Sequence, residues 1–293
     1  MDTQQLDAFV AVAETGSFSH AAERIHLTQP AVSKRVALLE QQLNCRLFDR
    51  IARHVTLTES GKTLLPRARS ILQSVSDTQQ AIYDLSGKAS GQLRIAVSHH
   101  IGLHRVPNLL RRYSITYPEV VLDVDFMDSE VAYREVRQGS FDVAVVTLAP
   151  ESHEKIESCM VWEDPLVLVA ACDHPLTQNS SLTASDLCHY PAILPGLSTY
   201  TGRMIKQFFD REGSTLKLSM TTNYLETIKI MVSVGFGWSM LPATMLDESL
   251  SSIDRPRLSL SRQLGYIHHQ DRTLSNAAQR FVTLLKREAK NHD

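Results

Sequence analysis

His100 and His104 stand four residues apart, a spacing that turns two imidazoles to one face of a helix and suits a metal ion. No third ligand stands near them in the chain. The reading taken is an imidazole at a helix start that hydrogen-bonds a ligand or the backbone, and no metal is expected. The four cysteines, Cys45, Cys159, Cys172 and Cys188, form no C-x-x-C pair and read as scattered thiols of a reducing compartment. The segment Gly196-Leu197-Ser198-Thr199-Tyr200-Thr201 is rich in hydroxyls just ahead of a helix. Hydroxyls and free N–H groups there suit a carboxylate or another anion, with plain helix capping as the simpler role. Nothing pairs a nucleophile with a base, and Gly235-x-Gly237 alone is a weak phosphate-loop signal. No catalytic residue and no cofactor are expected.

Charge carries a second signal. The chain of 293 residues has a net charge of −2, with 43% hydrophobic and 21% charged residues, the composition of a soluble globular protein. Between Arg24 and Arg69, however, nine basic residues face only three acids, Glu40, Asp49 and Glu59. A basic island in a mildly acidic chain is the footprint of a module that meets phosphate. No apolar run approaches the ~18–20 residues that span a bilayer. Met1-Asp2-Thr3-Gln4-Gln5 lacks the basic start of a secretory signal, so the expected location is the cytoplasm and no membrane contact is expected.

The elements that position these groups follow from periodicity. Leu6, Phe9, Val10 and Ala13 mark a first amphipathic helix behind Thr3 as a cap, ended by Gly16. A second runs from about Phe18 to Ile25. Thr28 suits the cap of a third, with Pro30 in its first turn. Val32, Val36, Leu39 and Leu43 fall on the inner side of that helix. Pro30, Ser33, Lys34 and Ala37 fall on the other, with Gln29 at the tip. Short polar donors and a cation there suit a major groove. Two β-prone runs flanking Ile51-Ala52-Arg53-His54 read as a hairpin wing, and an arginine at such a tip suits a minor groove. From Glu59 to about Ser86 a long helix carries Leu64, Ala68, Ile71, Val75, Thr78, Ile82 and Leu85 at heptad spacing, and Gly87–Gly91 reads as a hinge.

The run Phe18-Ser19-His20-Ala21-Ala22-Glu23, Leu27-Thr28-Gln29-Pro30-Ala31-Val32-Ser33-Lys34, Leu38-Leu39-Glu40, Leu43, Leu47-Phe48-Asp49-Arg50 and Leu57-Thr58-Glu59-Ser60-Gly61 resembles the DNA-binding signature of LysR-type transcription regulators. The resemblance implies that Gln29, Pro30, Ser33 and Lys34 contact the major groove and Arg53 the adjacent minor groove. It also implies that the long helix pairs with its copy in a second subunit. Looser stretches resemble the family's effector domain: Gly139 to Ala144, Asp173 to Leu176, and Val232 to Pro242.

Beyond Gly91 the pattern alternates strand and helix, the rhythm of an open α/β sheet. Strands are expected at Leu93–Val97, Val121–Phe126, Val143–Val146, Leu166–Ala171 and Ala192–Leu194, the fourth opening a second lobe near Pro165. Helices are expected at about Leu103–Thr116, Val131–Gln138, Arg203–Glu212, Leu225–Val234 and Ala277–Arg287, the last returning to the first lobe by the resemblance. Ligands of open α/β sheets bind outside the carboxyl ends of strands. That rule selects Ser98, His99 and His100, then Thr147, then Pro195 to Thr201, including Ser198 and Thr199. The resemblance supports Ser98, Thr147 and Ser198. Family members often carry a hydroxyl where His99 and His100 stand, so the ligand class does not transfer.

The fold expected is an N-terminal all-α winged helix-turn-helix with a long linker helix, plus a C-terminal α/β two-lobed effector domain similar to periplasmic binding proteins. The divisions expected are 1–58 for DNA, 59–91 for the dimerisation helix and hinge, and 92–293 for the effector. Lobe I takes 92–161 and 265–293, and lobe II takes 162–264. A solute-binding transport component would explain the second half but not the helix-turn-helix, and an enzyme would need a catalytic constellation. The function expected is sequence-specific regulation of transcription, with DNA binding or bending altered by a small polar or anionic metabolite. Its partners would be double-stranded DNA with a dyad operator, the effector, further copies of itself as a dimer and then a tetramer, and RNA polymerase.

Overall fold

In the computed structural model Asp2, rather than Thr3, caps the first helix, α1 (Thr3–Thr15). Its carboxylate accepts from the Gln5 N–H at 2.8 Å while the Gln5 side chain accepts from the Asp2 N–H at 3.0 Å, a reciprocal box that satisfies two free donors. Gly16 ends α1 in the left-handed conformation. Helix α2 (Phe18–Arg24) is capped by Ser17. Thr28 occupies the cap position of α3 (Gln29–Leu43), but its hydroxyl makes no capping bond. Pro30 has no N–H to offer, and the N–H of Ala31 is taken by the Thr28 carbonyl at 3.0 Å.

The structure describes residues 1–51, 54–85, 87–178, 182–253 and 260–289. The chain divides into two compact units, residues 1–88 with 138–140, and residues 89–137 with 141–293. In the first, Leu6, Phe9 and Val12 of α1 meet Val32, Val36 and Leu39 of α3 over Phe18, Leu47 and Phe48. Each such side chain contributes about 1.5–3 kcal/mol by leaving water. Leu43 does not join them. It is the last residue of α3, before a left-handed Asn44, and is exposed.

A hairpin of β1 (Phe48–Ile51) and β2 (His54–Leu57) follows. Ala52 and Arg53, at the tip assigned to a minor groove, lie outside the described residues, as does Ser86. Thr58 caps α4 (Glu59–Asp84) by accepting from the Gly61 N–H. Gly61 has no substitute, since a Cβ there would lie 2.2 Å from the Leu47 carbonyl oxygen. The heptad seam of α4 is divided. Leu64 and Ala68 pack into the unit's own core, whereas Ile71, Val75, Ile82 and Leu85 are 38%, 39%, 64% and 87% exposed.

The second unit begins with β3 (Gly91–Val97), α5 (His99–His104), α6 (Pro107–Thr116), β4 (Val120–Phe126), α7 (Ser129–Arg137) and β5 (Val143–Thr147). The single helix expected to about Thr116 is two, because Pro107 has no N–H to continue the hydrogen-bond ladder of α5 and instead opens α6 at its first position. Next comes β6 (Ile156–Ala170), one long strand rather than a new strand near Pro165. Pro165 lies inside it opposite Ser261, where β6 has a neighbour on one side only, so its missing N–H interrupts no ladder. The remainder is α8 (Ala184–Leu187), β7 (Ala192–Leu194), α9 (Tyr200–Arg211), β8 (Leu218–Thr221), α10 (Leu225–Ser233), β9 (Ser239–Pro242), β10 (Ser251–Ser252), β11 (Leu260–His269) and α11 (Asn276–Ala289).

One sheet runs β10-β6-β11-β5-β3-β4, with β9 also on β6. Strands β3, β4 and β5 are parallel, while β11 is antiparallel to both β5 and β6. A small parallel pair, β7 and β8, stands apart. Ala277, Phe281 and Leu285 of α11 pack with Leu93 and Ile95 of β3, so the last helix does return to the first strands. A second core gathers Leu166 and Leu168 of β6 with Leu194, Phe209 and Trp238.

Candidate functional site

Helix α3 presents its first turn outward because its other face is fully committed to the core. Gln29, Pro30 and Lys34 are exposed and Ser33 is half-buried on the same side. Glu40, further along, anchors the helix to the hairpin by accepting from the backbone N–H groups of Leu47, at 2.7 Å, and Phe48. The basic island is partly spent within the unit. Arg24 and Arg69 both reach Glu14, at 2.6 and 2.8 Å, tying α2 and α4 to α1. These two arginines therefore hold helices together, and the free charge near α3 is smaller than the count of basic residues.

In the second unit a cavity of about 60 Å³ opens where several strands end. Ser98 follows β3, Thr147 closes β5, and Thr199 follows β7 as the cap of α9. These three line the cavity together with His99 and His100. Ser198 does not. It precedes the cap, is exposed, and only its carbonyl is engaged, by Arg203. The Thr199 hydroxyl is occupied with capping, accepting from the Gly202 N–H at 3.0 Å and donating to the Gly196 carbonyl at 2.7 Å. A Cβ on Gly202 would lie 2.2 Å from the Gly196 oxygen, so glycine is needed for the loop to fold onto α9.

Other lining residues escaped the sequence reading. Asp128, Ser129 and Glu130 follow β4, and the strand-end rule points to them as it does to Ser98 and Thr147. The Ser129 hydroxyl accepts from the Thr147 N–H at 3.1 Å. Glu130 accepts from the Tyr200 N–H at the start of α9, filling with a carboxylate of this chain the place the sequence suggested for a ligand anion. Asp128 accepts from the Asn223 side chain at 2.7 Å. Asn223 follows β8, a strand the periodicity did not reveal.

Arg262 carried no signal at all, being neither at a strand end nor in a motif. It lies on β11 directly opposite Asp164 on β6, and its Nε donates to Asp164 Oδ2 at 2.8 Å. Its Nη1 donates to the Thr201 hydroxyl at 3.0 Å. Its Nη2 is buried with no hydrogen-bond partner among the described residues. Burial pushes the Arg262 guanidinium down from its ordinary value, and Asp164 acts against that shift. Arg105 also reaches Asp164, at 3.5 Å, so one buried carboxylate serves two guanidiniums.

The histidines of α5 face the start of α10. The His99 ring lies 4.9 Å from that of Tyr224. His104 Nε2 is 2.9 Å from Glu226 Oε1, and His100 Nδ1 is 3.8 Å from the same oxygen. Burial, then the Arg262 charge, lowers the His100 imidazole to about 3, so it is neutral at any ordinary pH. Burial pushes the Glu226 carboxyl up, but backbone hydrogen bonding and the two imidazoles outweigh it and leave the group below its usual range.

A helix-turn-helix with a hairpin beside it, and a sheet unit with a polar cleft at its strand ends, define a ligand-responsive DNA-binding regulator. The family model described as bacterial regulatory helix-turn-helix protein, lysR family, matches residues 3–62, and that described as LysR substrate binding domain matches residues 86–290. The chain belongs to the LysR family of transcriptional regulators, whose members are regulators and not enzymes. It is 64% identical over 107 residues to an HTH-type transcriptional regulator of the ibpB-leuC intergenic region of Azotobacter vinelandii, covering 36% of this chain and 74% of that one. It is 28% identical over 291 residues to the RuBisCO operon transcriptional regulator of Allochromatium vinosum, covering 98% and 96%. Among solved structures, full-length CbnR complexed with its target DNA superposes with a TM-score of 0.68 at 22% identity, covering 98% and 99%. Among the described residues no helix is long and apolar enough to cross a membrane.

Proposed function

We propose that this regulator responds to a small metabolite bearing a carboxylate, held in the cleft by Arg262 with Ser98, Thr147, His99, His100 and the loop around Thr199. The observation that carries the reading is the buried Arg262 Nη2, which has no partner among the described residues while the side chain lines the cavity. A buried donor left unmade costs about 1–3 kcal/mol, more when charged, and an anion supplies the missing acceptor. Asp128 and Glu130 on the same lining favour a ligand that also carries a hydroxyl or ammonium donor. The test is calorimetry of the acid selected by a thermal-shift screen of organic and amino acids. Thr147→Val should bind it about tenfold more weakly, and equal affinity would move the pocket elsewhere.

On the DNA side, Gln29, Pro30, Ser33 and Lys34 read the major groove from the exposed start of α3. Residues 1–58 form the reading head, 59–91 the linker helix and hinge, and 92–293 the sensor, its lobes being 92–161 with 265–293 and 162–264. The exposed seam from Ile71 to Leu85 supports pairing of two chains through α4, which holds two heads at a fixed spacing on a dyad operator. Two such pairs form the tetramer, which acts in the cytoplasm with RNA polymerase as its partner on the promoter. Effector binding favours one arrangement of the cleft and so shifts how DNA is held and bent.

A further inference from the structure

His100 and His104 present imidazoles from consecutive turns of α5, and Glu226, 122 residues further along by chain, brings a carboxylate to them from the first turn of α10. One ligand atom from each lies within 4.8 Å of the others. We infer that His100, His104 and Glu226 form a site for one divalent transition-metal ion of the zinc class, which ties α5 to α10 beside the effector cleft.

Two independent observations support it. The first is geometry. Nitrogen and oxygen ligands at ordinary zinc distances around a tetrahedron stand about 3.3 Å apart. The two nitrogen-to-oxygen distances here, 2.9 and 3.8 Å, bracket that value, and the two imidazole nitrogens lie within 4.8 Å of each other. The second is an unmet requirement. His100 is only 6% exposed, yet neither ring nitrogen has a hydrogen-bond partner among the described residues. A buried imidazole with no partner loses the solvation of both nitrogens, and a metal bond restores one of them.

The donor set selects the ion. Two imidazoles and one carboxylate suit zinc, cobalt or nickel, whereas calcium and magnesium want oxygen alone. Three protein ligands leave a fourth position for water or an effector oxygen. The arginine charges that act on His100 are those of Arg262 and Arg105, which share Asp164, while Glu226 supplies the negative charge within the set. Helices α5 and α10 belong to opposite walls of the cleft. An ion that needs both binds only the arrangement that holds them together, and so favours that arrangement by mass action.

The experiment is titration of the chelator-stripped full-length protein with Zn²⁺, and with Co²⁺ followed by its visible absorption, in the absence of any organic acid. That condition separates this site from the carboxylate reading, which can fail without affecting the result. One ion per chain is expected. His104→Ala and Glu226→Gln, both on partly exposed side chains, should each weaken binding at least tenfold to a hundredfold. Zn²⁺ should raise the melting temperature of the wild type but of neither variant, and His26→Asn in the other unit should bind as the wild type does. Absence of saturable binding at one ion per chain would overturn the inference. So would equal affinity in His104→Ala and Glu226→Gln.

Discussion

Asp164 and Arg262 face each other across β6 and β11 with their side chains 0% and 7% exposed, and the bond between them is set by strand register. Neither charge can lose its partner without remaining buried. Arg262→Met should therefore destabilise the chain by about 3–5 kcal/mol, and Asp164→Leu by a similar amount. Combining the two substitutions should restore part of the loss, since only the partly exposed Arg105 is then left without its carboxylate. Urea midpoints of the three variants check this. A double variant as unstable as the sum of the singles would show that Arg105 and Thr201, not the pair, set the cost.

The same pair shows where the sequence stops being informative. Helix starts, heptads and strand ends are local patterns, so Ser98, Thr147 and the α3 surface could be read directly, and a collinear family resemblance reinforced them. Arg262 and Asp164 meet only because β11 returns antiparallel beside β6, a pairing across 98 residues that leaves no local trace. Glu226 is hidden for the same reason, since its meeting with His104 needs α5 and α10, on opposite walls of the cleft, to be brought together. Ser198 lies outside the cavity lining for a different cause. A hydroxyl-rich run states that some hydroxyl turns inward, and the backbone of the cap decided in favour of Thr199.

Base readout gives the second prediction. Ser33→Ala and Gln29→Ala should each lose roughly 1–3 kcal/mol of discrimination between operator and scrambled DNA. Lys34→Ala should instead weaken both and lower the slope of log affinity against log salt by about one, because a phosphate contact carries no sequence. Competition binding at several salt concentrations separates the two behaviours. Identical discrimination in all three would remove α3 from the groove.

Assembly gives the third. Ile71 and Ile82 lie on the exposed part of the α4 seam. Ile71→Lys with Ile82→Lys would bury two charges on pairing, so sedimentation of the full chain should show a smaller oligomer and footprinting should show loss of dyad binding. An unchanged mass would exclude α4 from the interface.

Tyr200 supplies a pH dependence. Burial, with Tyr133 and Glu130 nearby, raises its phenol to about 12, while Arg203 opposes the shift. An acid raised on folding is held neutral by the fold. Its contribution is complete below the unfolded value near pH 10 and is lost as pH rises from there to 12. Urea midpoints at pH 9 and pH 11 should fall more steeply for the wild type than for Tyr200→Phe. Parallel falls would mean that the phenol is no more buried in solution than in the unfolded chain.

The chemistry of the effector gives the last. The cavity is lined by the Arg262 guanidinium and by two carboxylates, Asp128 and Glu130. Both carboxylates already accept a bond, from Asn223 and from the Tyr200 N–H, but each oxygen pair has further lone pairs to fill. A plain monocarboxylate would satisfy Arg262 and leave these acceptors facing its own negative charge. A hydroxy acid or amino acid of similar size satisfies both, and each buried bond made adds about tenfold in affinity. Thermal-shift screening should therefore rank hydroxy and amino acids above their deoxy or deamino counterparts. Glu130→Gln should narrow that gap by removing the acceptor charge while keeping an oxygen for the Tyr200 N–H. A screen in which plain acids bind as well as hydroxylated ones would leave Arg262 as the anchor and remove the acidic wall from recognition.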